Sequence, residues 1–376
     1  MTHPGRSLRI LMVDSERTWR GGQGQVFLLM RGLADAGEDV TLAAPGDGAL
    51  FARSGALRIT RLPWPGRSGP SSILALRRIM AGTRFDVVHS HASRAHGAVA
   101  FARQALRPRP LHVVSRRVDF PVGRGPAGRW KYRRGADAYI AISRGVHDVL
   151  VNGGIEPRCI TTVPSGIDLD KFARVRDPDY LRHEFNVGAG DAVIVNVAAL
   201  APHKAQSVLL DAANRLRGER RARFFIVGDG PLRPELAAES RHLGLDDIVT
   251  FTGFREDALE FIRLAGVFVM SSHLEGLGTS IMDAQALGAP VVATRTGGIP
   301  ELVEDGVTGV LVPPGDGVAL ARGIARILDD AELRERCIHR AQAQSARYDY
   351  RQMVYKTLDV YRRLCVQSPL EGNSTE

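Results

Sequence analysis

The chain has 376 residues, which is too long for one ordinary hydrophobic core and predicts two domains. Its composition, 44% hydrophobic and 24% charged, is that of a globular protein and excludes extended disorder outside the C-terminal tail. The net charge is +9, yet residues 1–185 carry 29 basic and 16 acidic residues while the remainder is net negative. We therefore expect the first half to meet an anionic partner, although an Arg-rich genome composition is an alternative explanation.

Cysteine use and hydropathy predict the compartment. The three cysteines are scattered and form no C-x-x-C motif, which is typical of a reducing compartment and argues against a zinc site. The first predicted strand begins at residue 8 without a preceding signal-peptide core, and no 18-residue apolar run occurs. We expect a cytoplasmic protein, soluble or peripheral on the cytoplasmic face of the inner membrane.

Short apolar strands alternate with amphipathic helices, a pattern typical of parallel sheets covered by helices on both faces. In the first half, strands are predicted at residues 8–13, 39–44, 86–90, 111–115 and 137–142, with a helix over residues 26–37. In the second half, strands are predicted at residues 193–197, 223–228, 248–251, 267–270, 290–294 and 309–312. Two such sets predict an α/β protein with two Rossmann-like domains, joined within residues 168–190.

A glycine pair, Gly21 and Gly22, opens the first helical pattern. Backbone without side chains can approach a diphosphate or a sugar closely, although a plain flexible loop would show the same residues. The loop after the first strand is too long for a dinucleotide-binding fingerprint, and the second strand ends without an acid to hold a ribose. A second glycine-rich turn, from Gly228, has Arg233 where such a fingerprint has its third glycine. A nicotinamide-dependent enzyme is therefore disfavoured.

Three histidines, His89, His91 and His96, lie near the end of a predicted strand. Their spacing does not match a usual zinc site, and no acidic or Cys cluster accompanies them, so we expect no metal here. Residues 115–134 form the densest basic stretch and interleave aromatic residues. This stretch predicts contact with a phosphorylated acceptor or an anionic membrane surface, with a solvated basic loop as the alternative. No RNA- or DNA-binding motif supports nucleic-acid binding.

The most informative stretch covers residues 273–316. Glu275 stands before a Gly-rich turn, and Asp283 follows eight positions later in a helical pattern that ends at Gly288. Glu275 to Thr279 therefore form the turn from the carboxyl end of a strand into a helix, where open α/β sheets bind ligands and helix N-termini bind phosphate. We expect Asp283 to face the same cleft as Glu275 and to accept from a ribose diol; a capped, solvated helix start is the alternative.

Together these motifs resemble the family-4 glycosyltransferases, retaining enzymes of the GT-B fold that use nucleotide-sugars. The resemblance covers nearly the whole chain. It implies two Rossmann-like domains facing across a cleft, an acceptor domain over residues 1–180 and a donor domain over residues 186–346. It also implies a C-terminal helix, residues 347–366, that crosses back to pack on the first domain.

The resemblance further implies roles for single residues. Lys204 would bind the diphosphate, the turn before the helix would add backbone donors, and Asp283 would contact the ribose. Glu275 would contact the transferred sugar, as would His91 or, less well matched, His96. The implied catalytic residues are Glu275 and His91. The implied donor-binding residues are Gly21, Gly22, Lys204, Gly276, Leu277, Gly278, Thr279 and Asp283.

Two positions depart from the family pattern. Ala199 stands where the family usually has an arginine on the diphosphate, so one cation is missing or supplied elsewhere. Asp283 stands where the family usually has Glu, so the carboxylate remains but is one methylene shorter. A short acidic motif, Asp168 to Asp170, lies in the predicted hinge and is interpreted as a cap or linker instead of a metal site.

These observations predict a retaining glycosyltransferase that moves a sugar from a nucleotide-sugar to a glycan or lipid-linked acceptor in cell-envelope polysaccharide or lipopolysaccharide synthesis. No cofactor, metal or protein nucleophile is expected, since the leaving phosphate could itself take the proton of the acceptor. One alternative is a membrane or nucleic-acid scaffold with a vestigial donor site. Another is a sugar-nucleotide epimerase of related fold.

Overall fold

The structure, a computed structural model, describes residues 6–118, 120–122 and 125–367. The chain divides into two compact units: the first combines the residues up to Gly166 with the segment from Tyr350 onward, and the second is Ile167–Asp349. The first unit thus ends before the predicted boundary at residue 180. The segment after Gly166 belongs to the second unit because its 3-10 turn, Leu169–Arg174, packs on a helix of that unit.

The first unit is built on a parallel sheet. Its described strands are β1 Arg9–Val13, β2 Asp39–Ala44, β3 Thr60–Pro63, β4 Val87–Ser90, β5 Leu111–Arg116, β6 Ala138–Ala141 and β7 Ile160–Thr162, in the spatial order β3-β2-β1-β4-β5-β6-β7. The apolar pattern predicts five of them but neither β3 nor β7. The reason is physical: β3 is a largely exposed edge strand that contains Pro63, and β7 has only three residues.

Helices cover both faces of this sheet. They are α1 Gly21–Asp35, α2 Ala49–Arg53, α3 Pro70–Gly82, α4 Ser93–Ala102, α5 Pro126–Arg134 and α6 Arg144–Asn152. The first helix buries Val26, Leu29, Met30 and Leu33, which recur at the helical spacing that the sequence shows. These side chains pack with β1 residues Ile10 and Met12 in one hydrophobic core.

The second unit has the same design. Its described strands are β8 Ala192–Val197, β9 Ala222–Val227, β10 Val249–Gly253, β11 Val267–Met270, β12 Val291–Thr294 and β13 Val310–Val312, in the order β10-β9-β8-β11-β12-β13. Its helices are α7 Asp179–Glu184, α8 Gln206–Leu216, α9 Arg233–His242, α10 Ala258–Leu264, α11 Thr279–Leu287, α12 Ile299–Leu302, α13 Gly317–Asp329 and α14 Ala331–Ser345. Each strand predicted in this half is present. The predicted fold class, α/β with two parallel Rossmann-like sheets, is confirmed.

The last helix, α15 Tyr350–Gln367, packs on α1 of the first unit. A side chain at Gly32 would lie 2.5 Å from the Val354 side chain, so the absence of one allows the two helices to approach closely. Buried Tyr361 extends this contact into the core. Among the described residues, no helix combines the length and the apolar composition needed to span a bilayer.

Candidate functional site

A polar cluster of the second unit lies at the carboxyl edge of its sheet, after the neighbouring strands β8 and β11. Lys204 ends a 3-10 turn after β8, and Glu275 follows β11. The Lys204 Nζ donates to the Glu275 carboxylate, and the two side chains are only 16% and 13% exposed. The Ser272 hydroxyl donates to the same carboxylate at 3.3 Å. The structure thus brings together two residues that the sequence predicts for one ligand site.

Backbone geometry fixes the two segments that carry this ion pair. The His273 N–H donates to the His203 carbonyl at 2.8 Å, and the Ser271 hydroxyl donates to the Lys204 carbonyl at 3.1 Å. Ala205, next to Lys204, has a φ of 49°, in the left-handed region that residues with a side chain rarely adopt. Such strain persists only where the surroundings enforce it. The fold therefore holds Lys204 at this edge of the sheet.

The turn between Glu275 and α11 offers backbone instead of side chains. Gly276, Leu277 and Gly278 are buried, and the Leu277 side chain is 2% exposed. A φ of 92° at Gly278, which favours glycine, lets α11 begin at Thr279. Within the described chain, no side chain caps this helix and no acidic residue lies in its first turn. Its N-terminal N–H groups and its dipole therefore suit an anion.

Asp283 lies on α11 but forms a separate ion pair. Its Oδ1 accepts from the Lys171 Nζ at 2.6 Å, and Lys171 comes from the 3-10 turn at the start of the second unit. Burial raises the pKa of Asp283, and the charge of Lys171 opposes that rise. The two acids that the sequence predicts for one cleft thus have different lysine partners.

Lys171 is a residue that the sequence analysis misses. The chain has four lysines among its 50 basic residues, and two of the four neutralise Glu275 and Asp283. The signal available in the sequence was the rarity of lysine in a chain whose bases are nearly all Arg. A compact ammonium group is not interchangeable with a planar guanidinium, so a lysine in such a chain indicates a specific contact. At the start of the same turn, the Asp168 side chain accepts from the Asp170 N–H at 3.2 Å. The prediction that this acidic motif acts as a cap is confirmed.

Replacing Lys171 with Met should destabilise the protein near neutral pH by about 1–3 kcal/mol, between the values typical of exposed and buried ion pairs. The variant leaves the Asp283 carboxylate without its cation, which raises the pKa of Asp283 further. The loss should shrink as the pH falls through that raised pKa, because protonation removes the uncompensated charge. Urea unfolding over a pH series measures it, with exposed Lys356→Met as the control. A loss that does not depend on pH would contradict this account.

In the first unit, the three histidines have different environments. His89 is fully buried, with its Nδ1 2.5 Å from the Tyr361 hydroxyl and its Nε2 2.8 Å from the Ser115 hydroxyl. His91 is 7% exposed, and neither of its ring nitrogens has a hydrogen-bond partner among the described residues. Burial lowers the pKa of both imidazoles well below its ordinary value, so both are neutral. Of these three histidines, His91 is therefore the one with both ring nitrogens available to a ligand.

His96 has a structural environment. It is 1% exposed and packs edge-on against the rings of Tyr132, Tyr139 and His112. No group of three or more His, Cys, Asp or Glu side chains suited to hold a metal ion occurs in the part of the chain that the structure describes.

The predicted glycine pair lies at the N-terminus of α1. Gly21 is exposed and Gly22 half-buried, and both belong to the first helical turn. A Cβ at Gly22 would lie 3.9 Å from the Cδ of Arg117, which follows β5. Arg117 belongs to the basic stretch 115–134, which the sequence predicts to meet a phosphorylated acceptor or an anionic membrane, and the structure places it beside this helix start.

Comparison with known proteins decides the family. The model for Glycosyltransferase Family 4 matches residues 19–171, and the model for Glycosyl transferases group 1 matches residues 179–344. A D-inositol 3-phosphate glycosyltransferase from Kribbella flavida is 31% identical over 316 residues, which cover 77% of this chain and 74% of that protein. The chain belongs to glycosyltransferase family 4. The predicted resemblance is thereby confirmed, and the protein is a glycosyltransferase.

Other relatives of this glycosyltransferase differ in the activities that their names state. The α-D-kanosaminyltransferase of Streptomyces kanamyceticus is 35% identical over 176 residues, so the match spans about half (46%) of each protein. The lipopolysaccharide core biosynthesis glycosyltransferase LpsE of Rhizobium meliloti is 27% identical over 353 residues, 93% of this chain and 97% of that protein. Family membership therefore does not by itself give the substrates.

Solved structures agree on the fold of this glycosyltransferase. Anabaena HepE in complex with UDP-glucose superposes with a TM-score of 0.84 over 95% of this chain and 100% of that one, at 21% identity. WaaG, a glycosyltransferase involved in lipopolysaccharide biosynthesis, superposes with a TM-score of 0.72 at 15% identity, over 94% of this chain and 99% of that one. Likeness at these identities shows the GT-B fold.

The departure at Ala199 is visible in the structure of the glycosyltransferase. The Ala199 carbonyl accepts from the Gln206 side chain at 3.0 Å, and its methyl group supplies no charge to the edge of the sheet. In this unit, the lysines that pair with the motif acids are Lys204 and Lys171.

Proposed function

We propose that this glycosyltransferase transfers a sugar, with retention of configuration, from a nucleotide-diphosphate sugar to a glycan or lipid-linked acceptor of the cell envelope, at the cytoplasmic face of the inner membrane. The observation that carries the proposal is the largely buried Lys204–Glu275 ion pair beside the uncapped N-terminus of α11. A cation and free backbone N–H groups at the carboxyl edge of a parallel sheet are suited to bind a diphosphate.

The proposal gives a separate role to each polar group of this site in the second unit. The Lys204 ammonium exchanges its partner, from the Glu275 carboxylate to the diphosphate, when the donor binds. The N–H groups at the start of α11 add hydrogen bonds that strengthen as negative charge develops on the leaving group. Glu275, freed from Lys204, accepts from hydroxyls of the sugar. Asp283, kept ionised by Lys171, accepts from the ribose diol.

The chemical step needs no protein nucleophile. The bond from the anomeric carbon to the diphosphate oxygen breaks, and the acceptor oxygen forms its bond on the same face of the sugar. The acceptor proton passes to the leaving phosphate oxygen. Electrostatic stabilisation of the diphosphate and positioning of the two substrates therefore supply the catalysis, without a metal or an organic cofactor.

The cell-envelope acceptor is supported by LpsE, a relative aligned over 97% of its length and named as a lipopolysaccharide core biosynthesis glycosyltransferase. The nucleotide-sugar donor is supported by HepE, a protein of the same fold whose structure was solved with UDP-glucose. On the chain itself, the histidine that can bond to a ligand, His91, supports contact with a sugar on the first unit.

A thermal-shift screen of nucleotide-sugars, followed by product analysis, tests the proposal. A bound donor stabilises the native state by an amount set by its concentration and affinity, so one donor should raise the melting temperature above the others. NMR of the product formed from that donor should show the anomeric configuration of the donor. An inverted product would exclude retention. An epimerised donor without acceptor product would favour the epimerase, and failure of every nucleotide-sugar would favour the scaffold.

The basic stretch of the first unit supports the membrane part of the proposal only in part. The side chains of Arg129, Arg133 and Arg134 are exposed on or near α5. Others are engaged in the fold: Arg116 donates to Tyr132 at 2.7 Å, and Lys131 donates to the Ser93 carbonyl at 2.7 Å. Arg117 is half-buried and Tyr132 is buried, so neither reaches an external surface, and Arg124 lies outside the described residues.

Exposed apolar side chains belong to the same basic stretch or stack on it. Phe101 is 52% exposed and stacks on Trp130 with ring centroids 4.6 Å apart. Val118 and Phe120 are each 41% exposed. Exposed aromatic residues next to cations suit the interface of an anionic bilayer, where rings enter the headgroup region and bases meet lipid phosphates.

Reversing Arg129, Arg133 and Arg134 to Glu should weaken binding to anionic vesicles by about a hundredfold or more, given roughly 1 kcal/mol for each base near such a surface. Vesicle sedimentation over a salt series measures this, because exposed charges are screened by salt. The matched control reverses Arg77, Arg78 and Arg84, which are exposed elsewhere on the same unit. Equal sedimentation of the wild type and the first variant would exclude this surface.

A further inference from the structure

In the first sheet, β2 and β3 lie on one side of β1, and the strands from β4 onward lie on its other side. The order in which the chain adds strands therefore reverses at β1. Open α/β sheets bind ligands at the carboxyl ends of the strands next to such a point. Three residues follow neighbouring strands there: Asp14 after β1, His91 after β4 and Arg117 after β5. The first turn of α1, with Gly22 beside the Arg117 side chain, completes the group.

The hydrogen bonding of the Arg117 guanidinium is incomplete within the described residues. Its Nε and Nη1 atoms are buried and make no hydrogen bond within the described residues. Burial lowers the pKa of Arg117 to about 10, although the nearby charge of Asp14 acts in the opposite direction. Asp14 therefore does not fully compensate the buried guanidinium. Buried polar groups are otherwise almost always paired, so these two atoms need an explanation.

Asp14 is already engaged. Its carboxylate accepts from the Glu16 N–H at 2.7 Å and from the Gln23 side chain at 3.3 Å. It therefore holds the loop before α1 and does not form an ion pair with Arg117. The charge of Arg117 also lowers the pKa values of His89 and His91, after the larger effect of their burial.

The neighbouring histidine provides hydrogen bonding without charge. His89 has both ring nitrogens engaged with Tyr361 and Ser115, whereas His91, its neighbour at a ring-centroid distance of 4.0 Å, has neither engaged. A neutral imidazole can donate from one nitrogen and accept at the other, which suits a sugar hydroxyl. The N-terminus of α1 adds a positive dipole end, since within the described chain no side chain caps it and its first turn has no acidic residue.

We propose that Arg117 and the N-terminus of α1 form an anion site that binds a phosphoryl group of the acceptor, while His91 bonds to a neighbouring hydroxyl of the same molecule. The assignment to the acceptor rests on the proposed function, because the donor diphosphate is assigned to the second unit. The anion site itself does not depend on that function. A phosphoryl group supplies the acceptors that the Arg117 N–H groups lack, and guanidinium is well matched to it.

Inorganic phosphate is the probe, used on the full chain at constant ionic strength with chloride as the replaced anion. We expect phosphate to raise the melting temperature of the wild type and of Arg78→Gln, a variant of an exposed arginine on the same unit. In Arg117→Gln, phosphate affinity should fall about tenfold or more, as for the loss of a hydrogen bond to a charged group. Arg117→Lys keeps the charge without the fork of donors and should lie between. Each variant is compared with its own phosphate-free baseline.

A second arm repeats the titration with saturating nucleoside diphosphate, chosen from the donor screen. If the site takes the acceptor, the phosphate effect should persist under these conditions. Loss of the effect would assign Arg117 to the donor diphosphate and overturn the acceptor assignment. An unchanged phosphate response in Arg117→Gln would overturn the anion site itself. Both results are independent of a failed donor screen, which would contradict the proposed function alone.

Discussion

Glu275→Gln is expected to lower the turnover number by about a hundredfold or more, as for loss of one strong transition-state contact. The amide keeps the shape of the side chain but not the charge that meets Lys204 and, in the proposed mechanism, the hydroxyls of the sugar. Stability should also fall, by about 1–3 kcal/mol, because the Lys204 ammonium is left largely buried without its carboxylate. Both quantities must therefore be measured on the same preparation.

The matched control for this variant is Glu256→Gln, which changes an exposed acid of the same unit. Turnover is measured with the donor identified by the screen, and stability by urea unfolding. If Glu275→Gln kept the wild-type turnover, the residue would have no part in the chemistry, and its role would be to hold Lys204. If turnover fell only in proportion to the folded fraction, the loss would be one of stability.

Lys204→Ala is expected to weaken binding of the donor nucleotide by about ten- to a hundredfold, the range for one hydrogen bond between charged groups. Turnover should fall as well, because the diphosphate gains charge as it leaves. With Ala199 in the position of a second cation, the other basic side chain of this turn is the imidazole of His203. Calorimetry with the nucleoside diphosphate measures the binding, and Lys356→Ala is the control for removal of a lysine.

A double variant separates the two roles of Lys204. Lys204→Ala and Glu275→Gln together leave neither charge buried alone, so their effects on the free energy of unfolding should not add. Their effects on catalysis should not be rescued, because each group has its own contact with the donor. Unchanged nucleotide affinity in Lys204→Ala would mean that the diphosphate binds elsewhere.

The fold was predictable because the central strands of both sheets are buried on both faces and appear as uninterrupted apolar runs. Strands such as β8 and β11 leave this signal whatever surrounds them. Edge strand β3 leaves none, because exposed positions do not require apolar residues. The bounds of α11 were predictable for a similar local reason. Gly278 and Gly288 have left-handed backbone at the two ends of this helix, a conformation that favours glycine, so these residues mark its ends in the sequence.

Side-chain pairing was less predictable. The sequence places Glu275 and Asp283 eight residues apart and says nothing about which cation each acid meets. Lys171 reaches Asp283 from 112 residues away, a contact that depends on the tertiary fold. The basic stretch shows the same limit of sequence-based prediction, since the neighbouring side chains of Arg116 and Arg117 have different contacts. Arg116 bonds within its own loop, whereas the buried Nε and Nη1 atoms of Arg117 have no hydrogen-bond partner among the described residues.

The pairing of both motif acids with lysines has a consequence for selectivity. Before the donor binds, each ammonium already has an internal counterion, so this edge of the second sheet carries little unbalanced positive charge. In the proposed mechanism, donor binding at Lys204 is then an exchange of one anion for another, and a small anion gains little by it. A whole nucleotide-sugar can complete the exchange because its sugar hydroxyls give the displaced Glu275 carboxylate new donors, while Asp283 keeps Lys171 and accepts from the ribose. In the proposed mechanism, the Glu275 carboxylate therefore makes the Lys204 site selective for a ligand that carries both negative charge and hydroxyls.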